Sequence, residues 1–295
     1  LCLKAEAHSM NEAMPTVLPE SGVAERREAQ KAQVFTGAFG SVSVDETTGE
    51  ITAPINPEGD KSFLGLLADR ESAGGENRSK ISDDGKRTRG TFHITLETAM
   101  GLENEFPFVK EYKILNTQNR DRFGQYMIDN PDVEREMALT VRNQKLNELQ
   151  EAGVRFDQLN ENEINAVSLL FFNTGTAKSP KLKRNLAALT NYKALFGETP
   201  TPDELDVLNQ LKISVAGQMD HINTDGVPSR GLALRRLAEQ DLFLRGEDTF
   251  KSYQPGGSRA ESVSTTNKAE RLIRRSREDS EIRFDYAAAF MKTKL

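Results

Sequence analysis

Residues 160–176, NENEINAVSLLFFNTGT, are the most apolar stretch of this 295-residue chain and constrain its fold more than any other segment. Ile164, Val167, Leu169, Leu170 and Phe171 recur too densely for a single stripe, so a helix built from them is apolar nearly all round and belongs at the centre of a core. Asn160 or Asn162 is placed to cap its start, and Gly175 to end it. Further helices are signalled around it. VEREMALTVRNQKLNELQEAG follows the Asn-Pro-Asp breaker at 130–132 and stops at Gly153. SPKLKRNLAALTNYKALF and TPDELDVLNQLKISVAGQMDHI carry proline at or near their starts, and SRGLALRRLAEQDLFL closes the set.

The remaining signals fix the organisation. Residues 1–57 mix acidic, small and turn-forming types and read as an arm or peripheral element, with a short strand pair expected in FGSVSVDETTGEITAPI around Thr48-Gly49. A main domain spans 58–246. Within it, SFLGLLADRE sets Phe63, Leu66 and Leu67 at i, i+3, i+4 and places Glu71 at the C-terminal end of a helix. SAGGENRSKISDDGKRTRG is then too rich in Gly, Ser, Asn and Asp for a regular element and reads as a loop. GTFHITLETAMGL is expected to begin as a short strand, Thr91 to Thr95, and to turn helical near Glu97. The expected class is therefore α+β, mostly helical with one small irregular β element near its start. Residues 247–295 read as a linker, SYQPGGSRAESVSTTN, and a charged helix with little apolar face until its end; a solvated extension or a docking peptide are the two readings of that tail.

Composition removes several classes of function. The net charge of −6, with both signs interspersed, gives no field suited to duplex binding, so nucleic acid is not an expected partner. No run of about 18 apolar residues provides a membrane span. LCLKAEAHSMNEAMPTVLPE lacks the apolar core of a secretory signal and does not open on Met, so residue 1 is read as a processed or incomplete end. The single cysteine, Cys2, can form no internal disulfide, which suits a protein made in a reducing compartment. His8 and His221 have no companions at metal-ligand spacing, and no Walker or Rossmann glycine pattern occurs, so neither metal nor cofactor is expected.

One candidate for chemistry remains. An acid that ends a buried helix and faces a glycine-rich loop is partly desolvated by its neighbours while the loop leaves room for substrate, which is the setting of a general acid. Glu71 occupies that position. For an isolated Glu the plainer reading is a helix-end residue that points into water; the surrounding text decides between them.

Glu71-Ser72, the loop, then RGTFHITLETA resembles the lytic transglycosylase pattern, a Glu-Ser followed by a Gly-x-x-Gln-Ile-type segment and a Thr-Ala that opens the next helix. The counterparts are Gly90, His93, Ile94, Thr98 and Ala99; the loop is several residues longer than usual, and His93 stands where glutamine is expected. LLFFNTGT resembles the Tyr-Asn-Ala-Gly stretch of the same family and the Phe-Asn-x-Gly stretch of phage-type lysozymes, through Phe172, Asn173, Thr174 and Gly175. GLALRRLAEQDLFL resembles the Gly-Leu-x-x-Arg-Arg-x-x-Glu helix that closes phage-type lysozymes. Over residues 60–246 the order of these blocks resembles the lysozyme-like superfamily.

The resemblance implies cleavage of the β-1,4 link between N-acetylmuramic acid and N-acetylglucosamine, with Glu71 as proton donor and with Ser72, His93, Thr95, Phe172, Asn173 and Thr174 lining the glycan site. A transglycosylase needs no second acid, since the substrate's own hydroxyl closes a 1,6-anhydro ring. A hydrolase does need one; Asp83 and Asp84 are its candidates, because the position nine after Glu71 is Lys80. SDDG is equally ordinary turn chemistry. The phage-like closing helix and the two arms imply a virion-associated enzyme, made in the host cytoplasm and acting on the cell wall at entry, with glycan strands and virion or tail proteins as partners. A virion protein that keeps the fold without turnover is the competing expectation.

Overall fold

The structure, a computed structural model, describes residues 62–72, 88–174, 179–197, 199–221, 223–224, 227–254, 257–263 and 265–294, all of them within one unit spanning 54–295. Its helices are α1 (Phe63–Ser72), α2 (Leu96–Met100), α3 (Thr117–Asp129), α4 (Pro131–Glu151), α5 (Glu161–Thr174), α6 (Pro180–Phe196), α7 (Pro202–Gly217), α8 (Arg230–Arg245), α9 (Phe250–Tyr253) and α10 (Thr266–Lys294), with short 3-10 turns between several of them. Their starts follow local chemistry. Thr201 and Glu204 form a capping box ahead of α7, Ser229 accepts the Leu232 N–H ahead of α8, and Pro131, Pro180 and Pro202 occupy first-turn positions where no N–H is required.

The α+β expectation is overturned. Among the described residues the only β pairing is a two-residue one, Asn223–Thr224 against Val227–Pro228, so the unit is nearly all α. The strand expected at Thr91–Thr95 does not form, for two reasons. His93 adopts φ 50°, in the left-handed region, which breaks an extended run. The N–H groups of Thr91 and Phe92 donate to the buried Glu134 carboxylate of α4, at 2.9 and 2.8 Å, and so are not offered to a neighbouring strand. Gly90, at φ 102°, allows that approach: a Cβ there would lie 2.2 Å from Glu134 Oε1. The strand pair expected around Thr48-Gly49 lies outside the described residues.

The apolar segment forms the buried helix its composition demands. In α5, Ala166, Val167, Leu169 and Phe171 are wholly buried, and Asn160 is the capping residue: its Oδ1 accepts the Glu163 N–H while Glu163 Oε2 accepts the Asn160 N–H. Helices α8, α4 and α1 pack around it, α8 most extensively. Asn162 Nδ2 sits 2.7 Å from where a Cβ on Gly246 would be, so the start of α5 meets the end of α8. Arg142 of α4 fastens α5 to α1. Its Nε donates to Ser168 Oγ and its Nη2 to Asn165 Oδ1, its guanidinium lies 4.8 Å from the Phe63 ring centroid, and burial pushes its pKa down to about 10.

The charged C-terminal helix is not a free extension. Ala269, Ile273, Ser280, Ala287 and Met291 recur on one face of α10, and that face is buried against α7 and α8. Gly217 admits it: a Cβ there would lie 2.2 Å from the Ser276 carbonyl oxygen and 2.6 Å from Ser280 Cβ. Upstream, Asp241 Oδ2 accepts from Thr249, Tyr253 and Arg259, which folds the segment after α8 back along that helix.

Candidate active site

Glu71 stands in the last turn of α1, whose Phe63, Leu66 and Leu67 are buried in the core. Two features of that position call for a cation. A helix C-terminus leaves carbonyls without intrahelical partners and carries partial negative charge, to which an acid adds. Arg235 of α8 supplies the cation. Its Nη1 donates to Glu71 Oε1 at 2.7 Å, and its Nη2 donates to Glu71 Oε2 at 3.3 Å and to the Arg70 carbonyl at 2.7 Å. The Glu71 side chain retains only 10% of its exposure and Arg235 19%, so the pair is mostly screened from water.

A second ion pair lies next to it on α8. Arg236 and Glu239 are fully buried and paired through two contacts of 2.9 Å. Burial pushes the Glu239 carboxyl up and the Arg236 guanidinium down, each opposed first by the other's charge; Arg70, Arg235 and Glu71 act on both as well. Arg70, neighbour of Glu71 in sequence, turns the other way: it pairs with Asp248 at 2.7 Å and lies 5.1 Å from the Phe250 ring centroid. Three guanidiniums and three carboxylates therefore meet where α1 ends against α8 and the segment that follows it.

Phe172 is half-buried and meets Phe63 edge to face at 5.9 Å; Asn173 is exposed, its Nδ2 3.3 Å from the Leu169 carbonyl. Thr174 is buried and its hydroxyl donates to Leu170 O. Ser72 is buried with its hydroxyl 3.3 Å from Ala68 O. Thr95 is an N-cap, accepting the Thr98 N–H at 3.0 Å, and His93 is half-buried between Glu134's two donors and that cap. Asp83, Asp84 and Gly175 lie outside the described residues, as do the rest of 73–87 and 175–178.

No family model, curated protein or solved structure matches the chain.

Among the described residues no three His, Cys, Asp or Glu side chains are grouped to hold a metal ion, and no helix is long and apolar enough to cross a membrane. A surface concavity of about 430 Å³ lies at the end of α4, lined by Gln150 and residues 153–157, none of which belongs to the Glu71 cluster. The residues that sequence reasoning passed over are Arg235, Arg236 and Glu239. Their signal is the Arg-Arg-x-x-Glu of the closing helix, which carries the resemblance but names no partner for Arg235.

Proposed function

We propose that this chain is a peptidoglycan-degrading glycosidase of lysozyme-like type, cleaving the β-1,4 link between N-acetylmuramic acid and N-acetylglucosamine by lytic transglycosylation. The observation that carries the reading is the Glu71–Arg235 pair, mostly screened from water in the last turn of the buried helix α1. Glu71 must enter this step protonated and out of the Arg235 fork; it gives that proton to the glycosidic oxygen, and Arg235 then pairs with the carboxylate that results. Glu71 then takes the proton of the muramyl hydroxyl as that oxygen closes the 1,6-anhydro ring, so one carboxyl group serves as acid and then as base. Asn173, exposed at the end of α5, is the sugar-facing amide, with Phe172 beside it. The setting in the same proposal is a virion-associated enzyme that opens the wall at entry.

A second reading draws on the same pair. A bidentate Arg–carboxylate contact that also reaches a helix carbonyl is a strut between α1 and α8, and a virion protein could keep it for architecture alone. A murein zymogram with the Glu71→Gln variant separates the readings. Clearing by the wild type that is lost in Glu71→Gln supports the enzyme; no clearing by the wild type favours the architectural role. A hydrolytic muramidase using Asp83 or Asp84 would clear murein too and differs in the ends it leaves.

A further inference from the structure

The first turns of α10 carry charge in an arrangement that does not serve the helix. Lys268, Arg271, Arg274, Arg275 and Arg277 crowd its N-terminal half with Glu270 the one acid among them, whereas Glu278, Asp279, Glu281 and Asp285 come later. Arg271 stands three residues from Arg274 and four from Arg275, spacings at which like charges repel. All three are exposed and make no ion pair among the described residues. Arg155, Arg245, Arg277 and Arg283, by contrast, pair with Asp157, Asp241, Asp220 and Asp279. In a chain of net charge −6, Arg271, Arg274 and Arg275 put three exposed guanidiniums on one face of this helix, with Glu278 at its edge one turn on.

The position of this face matters as much as its charge. On the inner side of the same turns, Ala269 and Ile273 pack against Ala233, Leu234, Leu237 and Ala238 of α8, the turns that present Arg235 to Glu71. We propose that the Arg271–Arg274–Arg275 face binds the carboxylates of murein stem peptides and holds the enzyme on the polymer, one helix away from Glu71. Carboxylates repeated along an insoluble strand complement a rigid row of guanidiniums, each able to take a carboxylate through two parallel hydrogen bonds. The inference rests on the peptidoglycan reading of Glu71.

The test is co-sedimentation of the full chain, carrying Glu71→Gln so that the polymer survives, with purified murein sacculi. The bound fraction is expected to fall about tenfold when Arg271→Glu, Arg274→Glu and Arg275→Glu are combined, to fall when sacculi carboxylates are amidated, and to fall with rising salt. Thermal melting of the triple variant is expected to match that of its parent, because the three side chains are exposed and make no ion pair among the described residues. Unchanged binding by the triple variant, or equal binding to amidated sacculi, overturns the proposal. So does a loss seen only on phosphatidylglycerol vesicles, which would assign the face to a lipid surface. Clearing of sacculi by the chain with Glu71 intact is read separately: binding can fail while clearing stands, and clearing can fail while binding stands.

Discussion

Arg235 holds both carboxylate oxygens of Glu71 and, through the same Nη2, the carbonyl of Arg70. One guanidinium from α8 thereby offsets the charge of an acid placed at the unfavourable end of α1 and satisfies a carbonyl that the helix leaves open. An acid is tolerable at that point because α8 brings a planar cation to it, and Arg236 and Glu239 anchor the same turn of α8 in the core.

Arg235→Ala is expected to strand the Glu71 carboxylate in a mostly buried position, at a cost of about 3 kcal/mol, and to reduce murein clearing at least tenfold. Arg235→Lys keeps the charge without the fork and is expected to recover part of the stability but little of the clearing. Thermal melts and turbidity assays of both variants provide the check; an Arg235→Ala protein that melts with the wild type would remove Arg235 from the account.

Glu134→Ala is expected to cost about 2–4 kcal/mol, since it leaves the buried N–H groups of Thr91 and Phe92 without their acceptor. Gly90→Ala is expected to be destabilising on two grounds, the positive φ and the collision with Glu134. Urea unfolding measures both, and a midpoint unchanged in either variant would refute the view that this carboxylate replaces the missing strand.

Gly217→Val is expected to separate α10 from α7, because the added side chain would meet the Ser276 backbone and Ser280. The loss should be about 1–3 kcal/mol, with the C-terminal helix becoming sensitive to limited proteolysis. Resistance equal to that of the wild type would argue against the close crossing.

The pH dependence of α10 docking follows from Glu281. The hydrogen bond from Lys181 is the main cause holding its carboxyl below the usual carboxylate range, with Gln218 and Arg184 adding to it. A folded-state pKa below the unfolded value of about 4.5 means that the stabilisation is present above that pH and is lost as the pH falls through the folded-state pKa. Glu281→Gln should therefore flatten the acid limb of a melting-temperature profile below about pH 4.5. A limb as steep as that of the wild type would place the acid sensitivity elsewhere.

Helices with strong local signals were legible in the sequence: the dense apolar run of α5, the prolines opening α4, α6 and α7, and the short amphipathic run of α1 ending at Glu71 all appear in the structure. The strand at Thr91–Thr95 was not refuted by anything local. It fails because Glu134, more than forty residues away, takes the backbone donors that a strand would have offered. Likewise the tail looked solvated because its charges dominate its composition, while its buried face is made of Ala269, Ile273, Ser280 and Ala287, small residues that contribute little hydropathy but permit close approach to Gly217. The partner of Glu71 lay in a quoted motif, but pairing across 164 residues is a property of the packing of α1 on α8 and has no local signature.

The composition of the fragments released from purified sacculi tests the central claim most directly. Mass spectrometry of soluble muropeptides is expected to show 1,6-anhydro ends after treatment with the wild-type chain and none after treatment with Glu71→Gln. Reducing ends in their place would make the enzyme a hydrolase and turn attention to Asp83 and Asp84. Release of the same fragments by Glu71→Gln, or no release by the wild type, would contradict the account.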